Sequence, residues 1–258
     1  MNYELYKEIY DNLNTLEDID ALVKKFNIEK EVFLAILSQK IIRNTKKNYY
    51  RLKKKKDTLK MRWQNGDSII KLSEEYNFSP VLMASFILKD TLSHKKFKEY
   101  LKNPDSIEDE RVREEIKEVT EKDIVYSPKY IILQRENGIR CEEEIKNWLL
   151  KRKIKFITEK DARVENFSKT PDFLLMTPFT VGNFEARWIE SKAGFGDLIQ
   201  FRENFRDQLR AYVRIFGSGI IVYWAGHLDM LNNFSSRIAV VSKNFFLIQN
   251  EEFIISGL

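Results

Sequence analysis

One cysteine and two histidines in 258 residues leave little room for several kinds of chemistry. A lone Cys141 excludes an internal disulfide framework and a cysteine-rich zinc site, and reads as a packed apolar residue. His94 and His227 lie far apart and fit no histidine-based metal or nucleophile motif; His227 is expected in a surface loop. Glycine is sparse as well. Gly194-Phe195-Gly196 and Gly217-Ser218-Gly219 lack the spacing of a P-loop or a dinucleotide fingerprint, so nucleotide-cofactor chemistry is not supported. The chain has no long apolar run and no low-complexity tail, so neither a membrane span nor a cleavable signal is expected, and the protein reads as soluble and intracellular.

What is present suffices for well-packed cores, since 43% of residues are hydrophobic and 13% aromatic, and the length suits two domains. The expected division is an all-α domain at 1–105, a charged linker or connecting helix at 106–126, and an α/β domain at 127–258. Asn103-Pro104-Asp105 opens the glycine-free middle stretch, where Ile107 to Val119 is itself helix-like. The positive charge is amino-terminal: residues 1–105 carry 21 Lys and Arg against 15 Asp and Glu, and 106–258 carry 23 against 24.

The amino-terminal part contains a repeat. Leu22-Val23-Lys24-Lys25-Phe26-Asn27-Ile28 aligns with Leu72-Ser73-Glu74-Glu75-Tyr76-Asn77-Phe78 at a constant shift of fifty residues, and the register continues through Ile36 with Phe86. Each copy reads as a short helix, a turn at Asn-apolar and a second helix, entered through Glu29-Lys30-Glu31 or Ser79-Pro80, which predicts two helix-turn-helix units. Between the copies, Arg43 to Arg62 holds ten basic residues and one acid, among them Lys46, Lys47, Arg51, Lys53, Lys54, Lys55 and Lys56. With Tyr49, Tyr50 and Trp63 these could follow a phosphate backbone and offer stacking faces; a solvated helix surface is the plainer account.

The carboxyl-terminal part carries the chemistry. Thr170-Pro171-Asp172 precedes the strand-like Phe173-Leu174-Leu175-Met176, and Phe184 to Ile189 leads into Glu190-Ser191-Lys192. Side chains alternate along a strand, so Glu190 and Lys192 share a face and Ser191 points away. Two carboxylates suit a hard cation such as Mg²⁺, which binds few protein oxygens and keeps water and substrate phosphate as its other ligands. Asp172 and Glu190 supply them, and the Ser191 carbonyl is a further candidate ligand. Lys192 can orient or deprotonate a water, or neutralise charge on a phosphate. Upstream, Cys141-Glu142-Glu143-Glu144 opens a helix with apolar residues at 141, 145, 148 and 149, and either Glu142 or Glu144 borders that stripe. Downstream, Asp197 can cap a helix from Leu198 to Phe216, with Gln208 and Tyr212 one turn apart on its apolar line. Arg202, Arg206, Arg210 and Arg214 recur every four residues; Arg206 and Arg210 are candidate phosphate contacts, although Glu203 and Asp207 could pair with the row.

These motifs, with Phe195-Gly196-Asp197, Asp207-Gln208, Phe216-Gly217 and Tyr223-Trp224, resemble the TPD-motif family of PD-(D/E)XK nucleases. The resemblance implies an α/β restriction-endonuclease-like domain behind the two helix-turn-helix repeats. It also implies Asp172, Glu190 and Lys192 in the metal and catalytic positions, Glu142 as the helical acid and Gln208 with Tyr212 as a Gln-x-x-x-Tyr element. The expected activity is magnesium-dependent cleavage of DNA, with manganese able to substitute. A homodimer, and a codanin-like partner where the source organism has one, follow from the same resemblance. So does location, in nucleus and cytoplasm for a eukaryote or in cytoplasm for an archaeon. A DNA- or partner-binding adaptor with little turnover and an RNA nuclease are the alternatives.

Overall fold

The computed structural model describes residues 1–89, 92–165 and 167–247. These form two compact units, Leu37–Arg135 and, separately, Met1–Ile36 with the described part of Glu136–Leu258. The boundaries fall inside two 24-residue helices, so they coincide with none of the composition changes along the chain.

The first helices are α1 (Tyr3–Asn12), α2 (Glu17–Phe26) and α3 (Lys30–Lys53). The unit at 37–135 takes the later part of α3, then α4 (Lys56–Gln64), α5 (Ile69–Glu75), α6 (Pro80–Leu88), α7 (His94–Lys102) and α8 (Glu110–Lys122). Serines 68, 79 and 93 cap α5, α6 and α7 by accepting the backbone N–H three residues on, and Pro80 occupies the first turn of α6. Leu52, Leu59, Leu72, Met83, Ile87, Phe97, Ile107, Ile116 and Val119 share one core. The stretch expected as a charged linker or connecting helix is thus largely a helix, and Ile107, Ile116 and Val119 enter that core: the apolar line of α8 is buried and its charged side faces water. Asp123 locks it in place. Fully buried, this carboxylate accepts from the Ser79 hydroxyl and from the N–H groups of Val81, Val125 and Tyr126.

The two sequence copies share one backbone device. Asn27 and Asn77 both lie in the left-handed region, with φ of 51° and 47°, between the short helices α2 and α5 and the helices that follow them. Asparagine tolerates that region better than other side chains do.

The other unit holds α9 (Pro128–Lys151, from Glu136 on), β1 (Phe156–Thr158), α10 (Glu159–Val164), β2 (Phe173–Val181) and β3 (Phe184–Lys192). After these come α11 (Leu198–Asn204), a π-turn at Phe205–Leu209, α12 (Arg210–Phe216), β4 (Gly219–Tyr223), β5 (Ile238–Ser242) and α13 (Asn244–Leu247). The sheet runs β1-β2-β3-β4-β5, antiparallel across the first three strands and parallel across the last three. Ile145, Trp148 and Leu149 of α9 pack with Phe173, Ile189, Ile220, Val222 and Val241. Trp188, on the opposite side of β3 from Ile189, meets Tyr212 of α12 edge-on at 5.5 Å. The single helix expected from Leu198 to Phe216 is thus broken by one wider turn, which a periodicity of 3.6 cannot reveal.

Residues 1–36 belong with this sheet. Tyr6 stacks on Phe195 at 5.5 Å and donates to the buried Asp197 Oδ2 at 2.7 Å, while Asp197 Oδ1 caps α11. No described helix is long and apolar enough to cross a membrane.

Candidate active site

The site lies where β2 begins and β3 ends. Phe173 pairs with Ile189, which sets Asp172 beside Glu190. The pairing is close: the Asp172 N–H donates to Glu190 Oε2 at 3.3 Å, and the Ser191 N–H to Asp172 Oδ2 at 2.7 Å. Lys192 Nζ meets Glu190 Oε1 at 2.6 Å. Glu190 is only 2% exposed, whereas Lys192 retains a quarter of its side-chain surface. Strand alternation acts as expected, because Ser191 turns away and its hydroxyl accepts from Trp224 Nε1. Trp188 fixes β3 against its neighbour, with Nε1 bonded to the Gly217 carbonyl and its ring so close to Gly219 that any Cβ there would fall 2.1 Å from it.

Burial governs the electrostatics. It pushes the Asp172 carboxyl up, helped by the Glu190 charge and opposed by the Ser191 N–H and Lys192. It raises Glu190 too, against the pull of Lys192. Tyr212 donates its hydroxyl to the Thr170 carbonyl at 3.1 Å, and burial followed by the charges of Glu190 and Asp172 holds that hydroxyl protonated. Glu142 is raised by burial, then by Asp172 and Glu159, and lowered by Lys192, so its neighbours are those of the site. Burial pushes the Cys141 thiol up to about 11, and the charges of both Glu144 and Glu142 add to the rise. Gln208 lies half-buried in the π-turn, with no side-chain hydrogen bond among the described residues.

Glu159 is the acid that sequence reasoning missed. Thr158 pairs with Phe173 across β1 and β2, and the Glu159 N–H bonds the Asp172 carbonyl at 3.0 Å. Its carboxylate takes Arg163 and, at 3.5 Å, the Thr170 hydroxyl, and its charge raises Asp172, Glu190, Glu142 and Tyr212 alike. No local pattern marks it; only strand pairing brings it there.

Two desolvated carboxylates with a single ammonium, and further acids around them, make a site short of positive charge. A hard cation fits that donor set. Among the described residues no three Asp, Glu, His or Cys side chains close on one point.

Of the candidate phosphate contacts, Lys46, Lys47, Arg51, Lys53, Lys54 and Lys55 are exposed and Lys56 is half-buried. Arg210 is exposed; Arg206 is also exposed but engages Asp207 at 2.6 and 3.0 Å. Two expected stacking faces are withdrawn. Tyr49 packs against Phe78 and Phe86, and Trp63 donates to Glu115 beneath the Arg111 guanidinium. His227 is half-buried rather than on the surface, and burial lowers its pKa.

Fold and site together define an α/β protein with a buried acid pair and a lysine at the junction of two strands. Residues 108–245 match the family described as "Protein of unknown function TPD sequence-motif", and the chain belongs to that family. It is similar to the CDAN1-interacting nuclease 1 of Mus musculus, 29% identical over 185 residues that cover 69% of this chain and 66% of that protein. The proteins of the same name from Homo sapiens and Bos taurus are each 26% identical over 236 residues, or 84% of both chains. No solved structure matches.

Proposed function

We propose that the chain is a metal-dependent deoxyribonuclease with a PD-(D/E)XK core. The observation that carries this reading is the direct contact of Asp172, Glu190 and Lys192, and the relatives named as nucleases support it. Asp172 and Glu190, with the Ser191 carbonyl, would hold Mg²⁺ or Mn²⁺, and Glu142 would act from the flank. The ion supplies Lewis-acid polarisation of the phosphodiester. Lys192, held by Glu190, orients the attacking water or offsets charge on the phosphate. Tyr212 fixes the Thr170 carbonyl and with it the approach to Asp172, and Gln208 remains available one turn away. In this reading the α2–α3 and α5–α6 pairs act as helix-turn-helix units, and the cationic surface of α3 binds the DNA.

The test is a panel of labelled duplex, branched and single-stranded DNA and RNA incubated with Mg²⁺, Mn²⁺ or chelator. Asp172→Ala, Glu190→Ala and Lys192→Ala should each lower cleavage by about a hundredfold or more. Cleavage that survives all three substitutions removes the assignment, and cleavage of RNA alone makes the protein a ribonuclease. A second reading, a partner-binding adaptor with little turnover, draws on the relatives' name, which describes them as interacting with CDAN1. A codanin-like protein is the partner proposed here where the organism has one, and tight DNA binding without cleavage would favour this reading.

A further inference from the structure

Tyr50 is the most exposed large hydrophobic side chain but one among the described residues, at 75%, and it lies on the most basic stretch of the chain. It is not a loose ring. Tyr49 meets it edge-on at 5.4 Å with the planes 88° apart, and Tyr49 is in turn packed on Phe86 and Phe78 in the core. The backbone is helical here and stays so to the Lys54 N–H, which bonds the Tyr50 carbonyl.

Helix geometry then decides what surrounds the ring. Lys46 and Lys47 precede Tyr50 by one turn, and Lys53 and Lys54 follow it by one turn, so all four lie on its face of the helix. None of the four forms an ion pair among the described residues, nor do the neighbouring Arg51 and Lys55. An aromatic ring left in water costs free energy, and a ring of lysines around it disfavours an apolar protein partner. Phosphates on both sides with a flat apolar surface between them satisfy both features. Bases within a duplex stack on one another and present only their edges, so a ring at the surface gains a face only from an unpaired base.

We propose that Tyr50 is a stacking platform for an unpaired base, with Lys46, Lys47, Lys53 and Lys54 engaging the phosphates on either side, which makes nucleic acid with a single-stranded segment the substrate class. The proposal rests on the nucleic-acid part of the function proposed above and not on its cleavage chemistry.

Binding of the full-length protein would be measured by fluorescence anisotropy in EDTA, where metal-dependent cleavage plays no part. The probes are a labelled oligo-dT of about 12 nucleotides and a long DNA duplex. Tyr50→Leu should weaken binding to the single strand about fivefold or more, Tyr50→Phe should retain it, and duplex affinity should change less than about twofold. The slope of log affinity against log salt should be unchanged by Tyr50→Leu and should fall by about 1.4 in Lys46→Ala/Lys47→Ala. Wild-type affinity of Tyr50→Leu for the single strand overturns the proposal, as does an equal loss on both probes. A protein that binds oligo-dT through Tyr50 but never cuts leaves this inference standing and removes the nuclease reading.

Discussion

At the scale of single residues the acid pair is at odds with stability. Burial and the Glu190 charge push Asp172 up to about 7 from an ordinary 3.8. A carboxyl raised in this way holds its proton in the folded protein at a pH where the unfolded chain has lost it. Its unfavourable effect is therefore absent in acid, grows as pH rises from about 4 to 7, and is complete above that. Asp172→Asn keeps an acceptor for the Ser191 N–H and removes the charge. We expect it to raise stability at pH 8 by about 1–3 kcal/mol and to leave stability at pH 4 nearly unchanged, as read from denaturant melts. A melt that weakens at pH 8 would show that Asp172 stabilises the fold as a carboxylate. The residue scale is also where the sequence was most legible. Asp172, Glu190 and Lys192 follow from strand alternation beside two short motifs. Glu159 does not, because its place depends on which strand pairs with β2.

Helix periodicity and caps located most elements, and the departures have physical causes. The π-turn at 205–209 adds a residue to one turn without altering the apolar composition, so the sequence reads as one continuous helix. The stretch at 106–126, which its sequence presents as a charged linker or connecting helix, is largely that helix, and Ile107, Ile116, Val119, Asp123, Ile124 and Val125 of it are buried, an inward side that the high overall charge conceals. The left-handed asparagines, by contrast, were visible as the turn of each repeat. Asn77→Ala should cost about 1 kcal/mol through the backbone alone, while Asn77→Gly should be close to neutral; thermal melts of the two variants check this. Equal losses would assign the role to the side chain instead of to φ.

For the whole molecule, the main lesson concerns where it divides. Composition pointed to a sheet domain beginning near 127, yet α1 belongs to the sheet unit through Tyr6, Phe195 and Asp197. Removing the Tyr6 hydroxyl leaves a buried carboxylate short of a donor, so Tyr6→Phe should destabilise the protein by about 1–3 kcal/mol. A fragment comprising 127–258 should melt well below the full-length chain, or fail to fold. Calorimetry of the two proteins decides, and an unchanged melting temperature would mean that α1 is an accessory.

The Tyr6–Asp197 bond joins groups 191 positions apart. During synthesis α1 stays undocked until the chain has been made as far as Asp197, while the helical unit encoded in between can consolidate from contacts closer at hand. Docking of α1 is therefore a late event in the life of each nascent molecule, later than the β2–β3 pairing that brings Asp172 and Glu190 together.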